Sequence, residues 1–335
     1  MTPTEEPLVH FETLSDRPRV FHITDALVSE AKSRNRVSIP TSVGEDLRDM
    51  SWLNKALGLV THNDVLLNPK FPLRNLQQVA PKLRWIHVTG AGIEPLLPFD
   101  WLPQHVVFTN NSGVHAEKIR ESAAMMLLML NARVPAILSN QRKAIWRQIF
   151  TPAIRGKILL IVGVGEMGGA AALAARQLGL RVLGTRRSGA PHPSVDEMFH
   201  ADDLDSALPL ADFVLLSAPL TSETQTLMDR RRFGLMKPGA GFINIGRGGL
   251  ADHAALADCL RVGSISGAVL DVYDPEPLPS TSPLWSVENL VMMPHVTSDD
   301  EDEYLPRSFD LAFENLRRLI AGKELRNVID RKRGY

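Results

Sequence analysis

Three short stretches carry an arginine, an acid and a histidine in an order that suits one chemistry. They are Asn244-Ile245-Gly246-Arg247-Gly248, then Asp271-Val272-Tyr273-Asp274-Pro275-Glu276-Pro277, then Pro294-His295. An arginine fork grips a carboxylate through two parallel hydrogen bonds and polarises a carbonyl beside it. A histidine backed by a carboxylate delivers a proton near neutral pH. Together these groups suit hydride reduction of a 2-oxo acid, which needs a nicotinamide as donor.

A site for one lies upstream. Lys157-Ile158-Leu159-Leu160-Ile161-Val162 is an apolar run of the kind that forms a buried parallel strand, and Gly163-Val164-Gly165-Glu166-Met167-Gly168-Gly169 follows it. An alanine-rich helical stretch, Ala170 to Leu178, and a second apolar run, Arg181-Val182-Leu183-Gly184, come next. That context separates the pattern from a glycine-rich turn without a ligand. Gly163 would permit the tight turn, Gly165 the approach of the pyrophosphate to the backbone, and Gly168 the close packing of helix on strand. The phosphates would rest on the helix N-terminus beside Glu166 and Met167.

Selectivity for NAD usually rests on an acid about twenty residues after the first glycine, bonded to the ribose 2′-hydroxyl. Counting from Gly163 reaches Gly184-Thr185-Arg186-Arg187-Ser188, which holds no acid. A carboxylate there would repel a 2′-phosphate, whereas arginines and hydroxyls would bind it. The expectation is NADP(H) in preference to NAD(H).

The elements that must position these groups follow from the remaining pattern. A chain of 335 residues is long enough for two cores. A net charge of −1 gives no electrostatic basis for binding nucleic acid or a membrane surface. The lone Cys259 offers neither an intrachain disulfide nor a metal spacing, so no metal is expected and a reducing cytoplasm fits. Met1 to Asp16 lacks the basic and apolar regions of a signal peptide. The longest tight apolar run, Ala123 to Leu130, falls short of a bilayer span.

Strands are expected at Val20–Ile23, Leu57–Thr61, Trp85–Val88 and Val106–Thr109, making a small α/β domain. Further on they are expected at Phe213–Ser217, Ala240–Ile245, Ser266–Asp271 and Leu290–Met293. Near-continuous apolar strands joined by helices mean a parallel sheet covered on both faces. Arg247, Asp271 and His295 each follow such a strand closely, where ligands bind in these sheets. Glu117 to Arg133 reads as a helix apolar on all sides, which must be buried on all sides. It comes too early in the chain for the cofactor sheet alone to cover it. A subunit interface is the preferred cover, implying a homodimer, and a central core helix is the open alternative. Met125, Met126 and Met129 read as core filling. A final amphipathic helix, Arg307 to Ala321, is expected to return to the first domain.

Gly90-Ala91-Gly92, Val114-His115-Ala116-Glu117, the glycine turn, Ala218-Pro219-Leu220-Thr221, Met236-Lys237-Pro238-Gly239 and the three stretches above make a resemblance that spans nearly the whole chain. The sequence resembles the D-isomer-specific 2-hydroxyacid dehydrogenase family. Ser298-Asp299-Asp300 and the terminal Gly334-Tyr335 lean toward its glyoxylate/hydroxypyruvate reductase-like branch. The fold so implied is α/β, with two Rossmann-like domains built on doubly wound parallel sheets. A discontinuous, flavodoxin-like substrate domain would occupy 1–112 and 297–335. A dinucleotide-binding domain would occupy 113–296, with a dimerisation arm at about 116–150.

The resemblance also implies roles. Arg247 would bind the substrate carboxylate and carbonyl, His295 would be the acid, and Glu276 would hold the imidazole and raise its pKa. Asp271 would bond the nicotinamide carboxamide. Backbone N–H groups at Gly90, Ala91 and Gly92 would cradle the substrate carboxylate. Ser217, Ala218 and Pro219 would line the nicotinamide ribose, with Ile245 and Gly246 beside the cofactor. The implied partners are a small 2-oxo or 2-hydroxy acid and a second copy of the chain. Trp146 would pack in the interface or reach a neighbour's pocket. Thr61, His62, Asn63 and Asp64 would contact the substrate's C3 group or merely cap a segment. The remaining histidines at 62, 87, 115 and 253 read as structural. Two other functions share this fold. Formate oxidation pairs its histidine with a glutamine, where this chain has Glu276. A nucleotide-sensing corepressor usually carries extra tails, where this chain has only the short basic Arg331-Lys332-Arg333.

Overall fold

The computed structural model describes residues 7–334, so Tyr335 lies outside the described residues. The chain divides at His115/Ala116 and at Ser298/Asp299 into two compact units. The first unit uses both ends of the chain.

That first unit is built on a five-stranded parallel sheet in the order β2-β1-β3-β4-β5. Its strands are β1 (Leu8–Thr13), β2 (Thr41–Glu45), β3 (Ala56–Thr61), β4 (Trp85–Val88) and β5 (Val107–Thr109). The order is flavodoxin-like. The C-terminal helix, Tyr304–Ile320, lays Phe309, Ala312, Phe313 and Leu316 on one face of this sheet. Phe309 meets Phe11 of β1 edge to face, with ring centroids 5.2 Å apart. The basic Arg331 is no tail: its guanidinium donates to the carbonyls of Leu102, Pro103 and Val106.

One expectation fails in this unit, and two strands appear that were not expected. Val20–Ile23 is not a strand; Arg19–Phe21 forms a 3-10 turn behind Pro18. Its apolar side chains pack beneath the sheet without joining a ladder. The strands that the reading lacks are β1, where His10, Glu12 and Thr13 interrupt the apolar pattern and yet are buried, and β2, none of whose residues is fully buried. His10 bonds Ser42 at 2.8 Å and Glu12 at 2.9 Å, which satisfies polar groups that burial would otherwise penalise.

The second unit, from Ala116 to Ser298, carries a seven-stranded parallel sheet in the order β12-β11-β10-β9-β6-β7-β8. The strands are β6 (Ile158–Val162), β7 (Arg181–Arg186), β8 (Glu197–His200), β9 (Phe213–Leu216), β10 (Gly241–Asn244), β11 (Gly267–Leu270) and β12 (Leu290–Met292). The order reverses between β6 and β9, which is the switch point where doubly wound sheets bind ligands. Edge strand β8 lacks an apolar run because neither of its faces is fully buried.

The apolar helix lies over Ala116–Asn131, and a second helix follows at Val134–Arg142. It is two-faced: its own unit buries one face, including against the cofactor sheet, and leaves the other exposed. Ile119, Ala123, Met126, Leu127 and Leu130 join the core formed by the sheet and the helix Glu166–Gln177. Met125 and Leu128 lie on the other side and are exposed. Among the described residues no single helix is long and apolar enough to cross a membrane.

Candidate active site

The glycine turn sits where β6 meets its helix. Gly163 has φ +97°, and a Cβ there would lie 2.5 Å from the backbone of Ala218, so only glycine fits. A Cβ on Gly168 would lie 2.5 Å from the Gly163 carbonyl and 2.9 Å from Ser217 Oγ. Ser217 Oγ donates to that same carbonyl at 2.9 Å, and the N–H groups of Gly163 and Val164 donate to Thr185 O. Gly165 behaves differently: a Cβ there would meet nothing within 4 Å. It precedes the helix Glu166–Gln177, whose first turn no side chain caps. Uncapped N–H groups beside open space on a helix N-terminus fit a dinucleotide pyrophosphate.

The loop after β7 holds Arg186, Arg187 and Ser188. Arg186 donates from Nε to Ala190 O at 2.6 Å and from Nη2 to Pro191 O at 2.7 Å, which folds the loop back on itself. Ser188 Oγ accepts from Ala190 N. Arg186 is thus partly spent on shaping the loop, which its charge alone did not reveal.

The candidate reacting groups follow three neighbouring strands. Asn244, Leu270 and Met292 lie in register across β10, β11 and β12. Parallel strands end at the same edge, so the residues just beyond them share one rim. On β10 the buried Asn244 donates to Arg247 O at 2.9 Å and accepts from Gly246 N at 3.0 Å, which sets the turn that carries the arginine. A Cβ on Gly248 would fall 2.0 Å from the Tyr273 carbonyl carbon, so this turn sits directly on the β11 loop.

In that loop Glu276 Oε1 accepts from Tyr273 N at 2.7 Å, and Oε2 pairs with His295 Nδ1 at 2.8 Å. Burial alone would raise the Glu276 pKa. The bonds from His295 and Tyr273 N, with the charges of His295 and Arg247, outweigh it and hold the carboxyl below its ordinary range. The hydrogen bond to Glu276 raises the His295 pKa against burial and the Arg247 charge. Arg247 therefore acts electrostatically on both partners. His295 is 44% exposed, so its ring edge away from Glu276 can meet a ligand.

Asp271 is only 2% exposed. Its carboxylate accepts from Val296 N at 2.9 Å and from Thr297 N at 3.2 Å, and also from Thr297 Oγ1. Desolvation raises its pKa and these bonds oppose the rise. The sequence reading missed the roles of Asn244 and Tyr273, whose side-chain polar atoms bond only backbone: Tyr273 Oη donates to the carbonyls of Leu270 and Met293. An asparagine closing a strand just before a glycine was the available signal for Asn244.

Ile245, Gly246, Ala218 and Pro219 follow β10 and β9 at the same sheet edge. Gly90, Ala91 and Gly92 belong to the other unit and follow β4. Their carbonyls are fixed by Asn111 N, Asn110 Nδ2 and Asn63 Nδ2 respectively. Asn63 thus serves the loop, while Thr61, His62 and Asp64 bond to Glu12 O, Phe21 O and Arg17. Burial pushes His62, His87 and His115 down to about 4 and lowers His253, so all four are neutral at pH 7.

A seven-stranded parallel sheet with a glycine turn at its switch point defines a dinucleotide-binding protein of the Rossmann type. Comparison with known proteins narrows this. Residues 124–297 match the family described as D-isomer specific 2-hydroxyacid dehydrogenase, NAD binding domain. The chain is 32% identical to glyoxylate/hydroxypyruvate reductase B of Citrobacter koseri over 76% of this chain and 80% of that protein. A D-isomer specific 2-hydroxyacid dehydrogenase from Xanthobacter autotrophicus, solved with NADPH and MES, superposes with TM-score 0.83 at 27% identity, covering 98% of this chain and 99% of that one. A probable 2-hydroxyacid dehydrogenase from Rhizobium etli, solved with NADP, HEPES and L(+)-tartaric acid, gives 0.81 at 25% identity, covering 98% and 100%. The chain belongs to the D-isomer specific 2-hydroxyacid dehydrogenase family.

The coupled Glu276–His295 pair has a pH signature. The raised His295 pKa stabilises the fold fully below the ordinary value of 6.5, and this is lost as pH rises through the folded-state value. The lowered Glu276 pKa stabilises it above the ordinary 4.5, and this is lost as pH falls through its folded-state value. Both contributions are present between those ordinary values. Glu276→Gln should lower the His295 pKa in an NMR titration and destabilise the protein to urea most in that window. An unchanged His295 titration would refute the coupling.

Proposed function

We propose that this protein reduces a small 2-oxo acid of the glyoxylate or hydroxypyruvate class to the D-2-hydroxy acid, reversibly, with NADPH preferred to NADH. The observation that carries this reading is the His295–Glu276 pair under the field of Arg247, on the rim of the sheet that bears the glycine turn.

A bound reduced nicotinamide supplies the hydride that ends on the carbonyl carbon. Gly163, Gly165 and Gly168 would admit its pyrophosphate, with Glu166 and Met167 in the helix turn against it. Ser217, Ala218 and Pro219 would border the ribose, and Ile245, Gly246 and Asp271 the nicotinamide side. Arg247 grips the substrate carboxylate and stabilises the oxygen as it gains charge. Glu276 takes up Nδ1, which leaves Nε2 of the imidazolium to protonate that oxygen. The products are the hydroxy acid and a neutral imidazole, which regains its proton from solvent. The family resemblance gives Gly90, Ala91 and Gly92, in the other unit, the role of offering N–H groups to a carboxylate.

The preference for NADPH rests on the loop at Thr185, Arg186, Arg187 and Ser188, where no acid stands to repel a 2′-phosphate. The loop ties made by Arg186 keep its positive charge there. An apolar surface supports a homodimer. Met125, Leu128, Ile137, Ile145, Trp146 and Phe150 are exposed on one stretch of the chain, Trp146 at 95%. A second copy is the occupant that a self-complementary apolar patch fits. The single Cys259, a free thiol, supports a cytoplasmic setting.

Three measurements test this reading. Arg247→Ala should cost about 10²–10³ in kcat with NADPH binding nearly intact; activity within about tenfold of wild type would mean that another group holds the substrate. The ratio of kcat/KM should favour NADPH over NADH, and parity or an NADH advantage would remove the cofactor claim. Sedimentation should give the mass of a dimer, which Trp146→Asp with Phe150→Asp reduces to a monomer; a monomeric wild type would refute the interface.

A further inference from the structure

His295 stands in an uncommon backbone conformation. Its φ is +56°, in the left-handed region that only a few per cent of non-glycine residues occupy, histidine being one of the more tolerant. Something around it must hold that conformation. On the N-terminal side, Met293 N donates to Leu270 O and Met293 O accepts from Tyr273 Oη, each within 2.9 Å. On the C-terminal side the grip is closer. Val296 N and Thr297 N both donate to Asp271, and the Thr297 hydroxyl donates to Asp271 Oδ2 as well. Thr297 O then accepts from Ser122 Oγ at 2.7 Å, which ties the loop to the helix Ala116–Asn131. Asp271, Thr297 and Ser122 are all at most 5% exposed, so water does not compete for these bonds.

We propose that Thr297 is a positioning residue for His295. It holds the strained backbone two residues away between Asp271 and Ser122, and so sets the angle at which the imidazole meets Glu276. The two acids then divide the work. Glu276 orients the ring, and Asp271, through Thr297, orients the chain that carries the ring. This rests on the reading of His295 as the proton donor. Neither Thr297 nor Ser122 touches the substrate in this account.

Thr297→Val keeps the shape and removes the hydroxyl, Thr297→Ser keeps the hydroxyl, and Ser122→Ala releases the carbonyl with little risk to folding. The first readout is the His295 imidazole titration, followed by NMR with ¹³C-labelled histidine and assigned by its loss in His295→Gln. It needs no substrate. Thr297→Val should bring the His295 pKa back toward its ordinary value, Ser122→Ala should shift it less in the same direction, and Thr297→Ser should restore it. The second readout is steady-state kinetics. Thr297→Val should lower kcat about tenfold, a fraction of the 10²–10⁴ that a general acid supplies, with KM for the 2-oxo acid within about twofold. A wild-type titration in both Thr297→Val and Ser122→Ala would overturn the proposal, as would failure of Thr297→Ser to restore it. A wild-type protein that turns over no 2-oxo acid would instead defeat the functional reading, and the titration would still decide the role of Thr297.

Discussion

The hydrogen bond between Glu276 Oε2 and His295 Nδ1 constrains the rest of the structure. An imidazole is a useful acid near neutral pH only if it remains charged in a partly desolvated place. Burial and the Arg247 charge both work against that charge. On the proposed role, Arg247 is needed to hold an anionic substrate, so a carboxylate must stand against the imidazole to offset its charge. Glu276 does so while Tyr273 N and Arg247 keep it ionised. Arginine, acid and imidazole thus form a set of three charges in which each makes the state of another possible. Removing one changes two.

Bringing three such groups together needs a rigid frame, which the register of β10, β11 and β12 provides. Arg247 lies three residues past Asn244, and Asp271 one past Leu270. His295 lies three past Met292. A slip of one position on any strand would move its side chains to the opposite face and separate the set. Fully buried apolar side chains on these strands, among them Phe242, Val269 and Leu270, make such a slip costly. The function therefore depends on core packing several residues from any reacting atom.

Much of this was legible in the sequence because the parts that do chemistry are local in it. The glycine turn, the arginine flanked by glycines and the Pro294-His295 pair each lie within a few residues, directly after an apolar strand. What stayed hidden is what depends on distant partners. β1 was invisible because the buried polar residues His10, Glu12 and Thr13 break its apolar run; His10 and Glu12 are satisfied by each other and by Ser42 and Leu47 N on other segments. Val20–Ile23 misled because three apolar residues among four signal burial without specifying a ladder. The helix Ala116–Asn131 read as apolar all round; what the sequence could not say is that its own sheet buries one face and leaves the other, with Met125 and Leu128, exposed. Arg186 looked like a phosphate ligand by position, and only the fold reveals the carbonyls of Ala190 and Pro191 beneath it.

Asp271 shows how a costly group becomes a fixed point. A carboxylate this deeply buried would protonate or unfold its surroundings if left alone. Three donors from two adjacent residues, Val296 and Thr297, satisfy it, and all three lie immediately after His295. Releasing any of them leaves part of a buried charge unmatched, so the loop has little freedom to relax. The left-handed backbone of His295 persists because relaxing it would pull Val296 and Thr297 off that carboxylate. The strain at His295 and the burial of the aspartate are therefore one arrangement seen from its two ends, and the position of Nε2 follows from both.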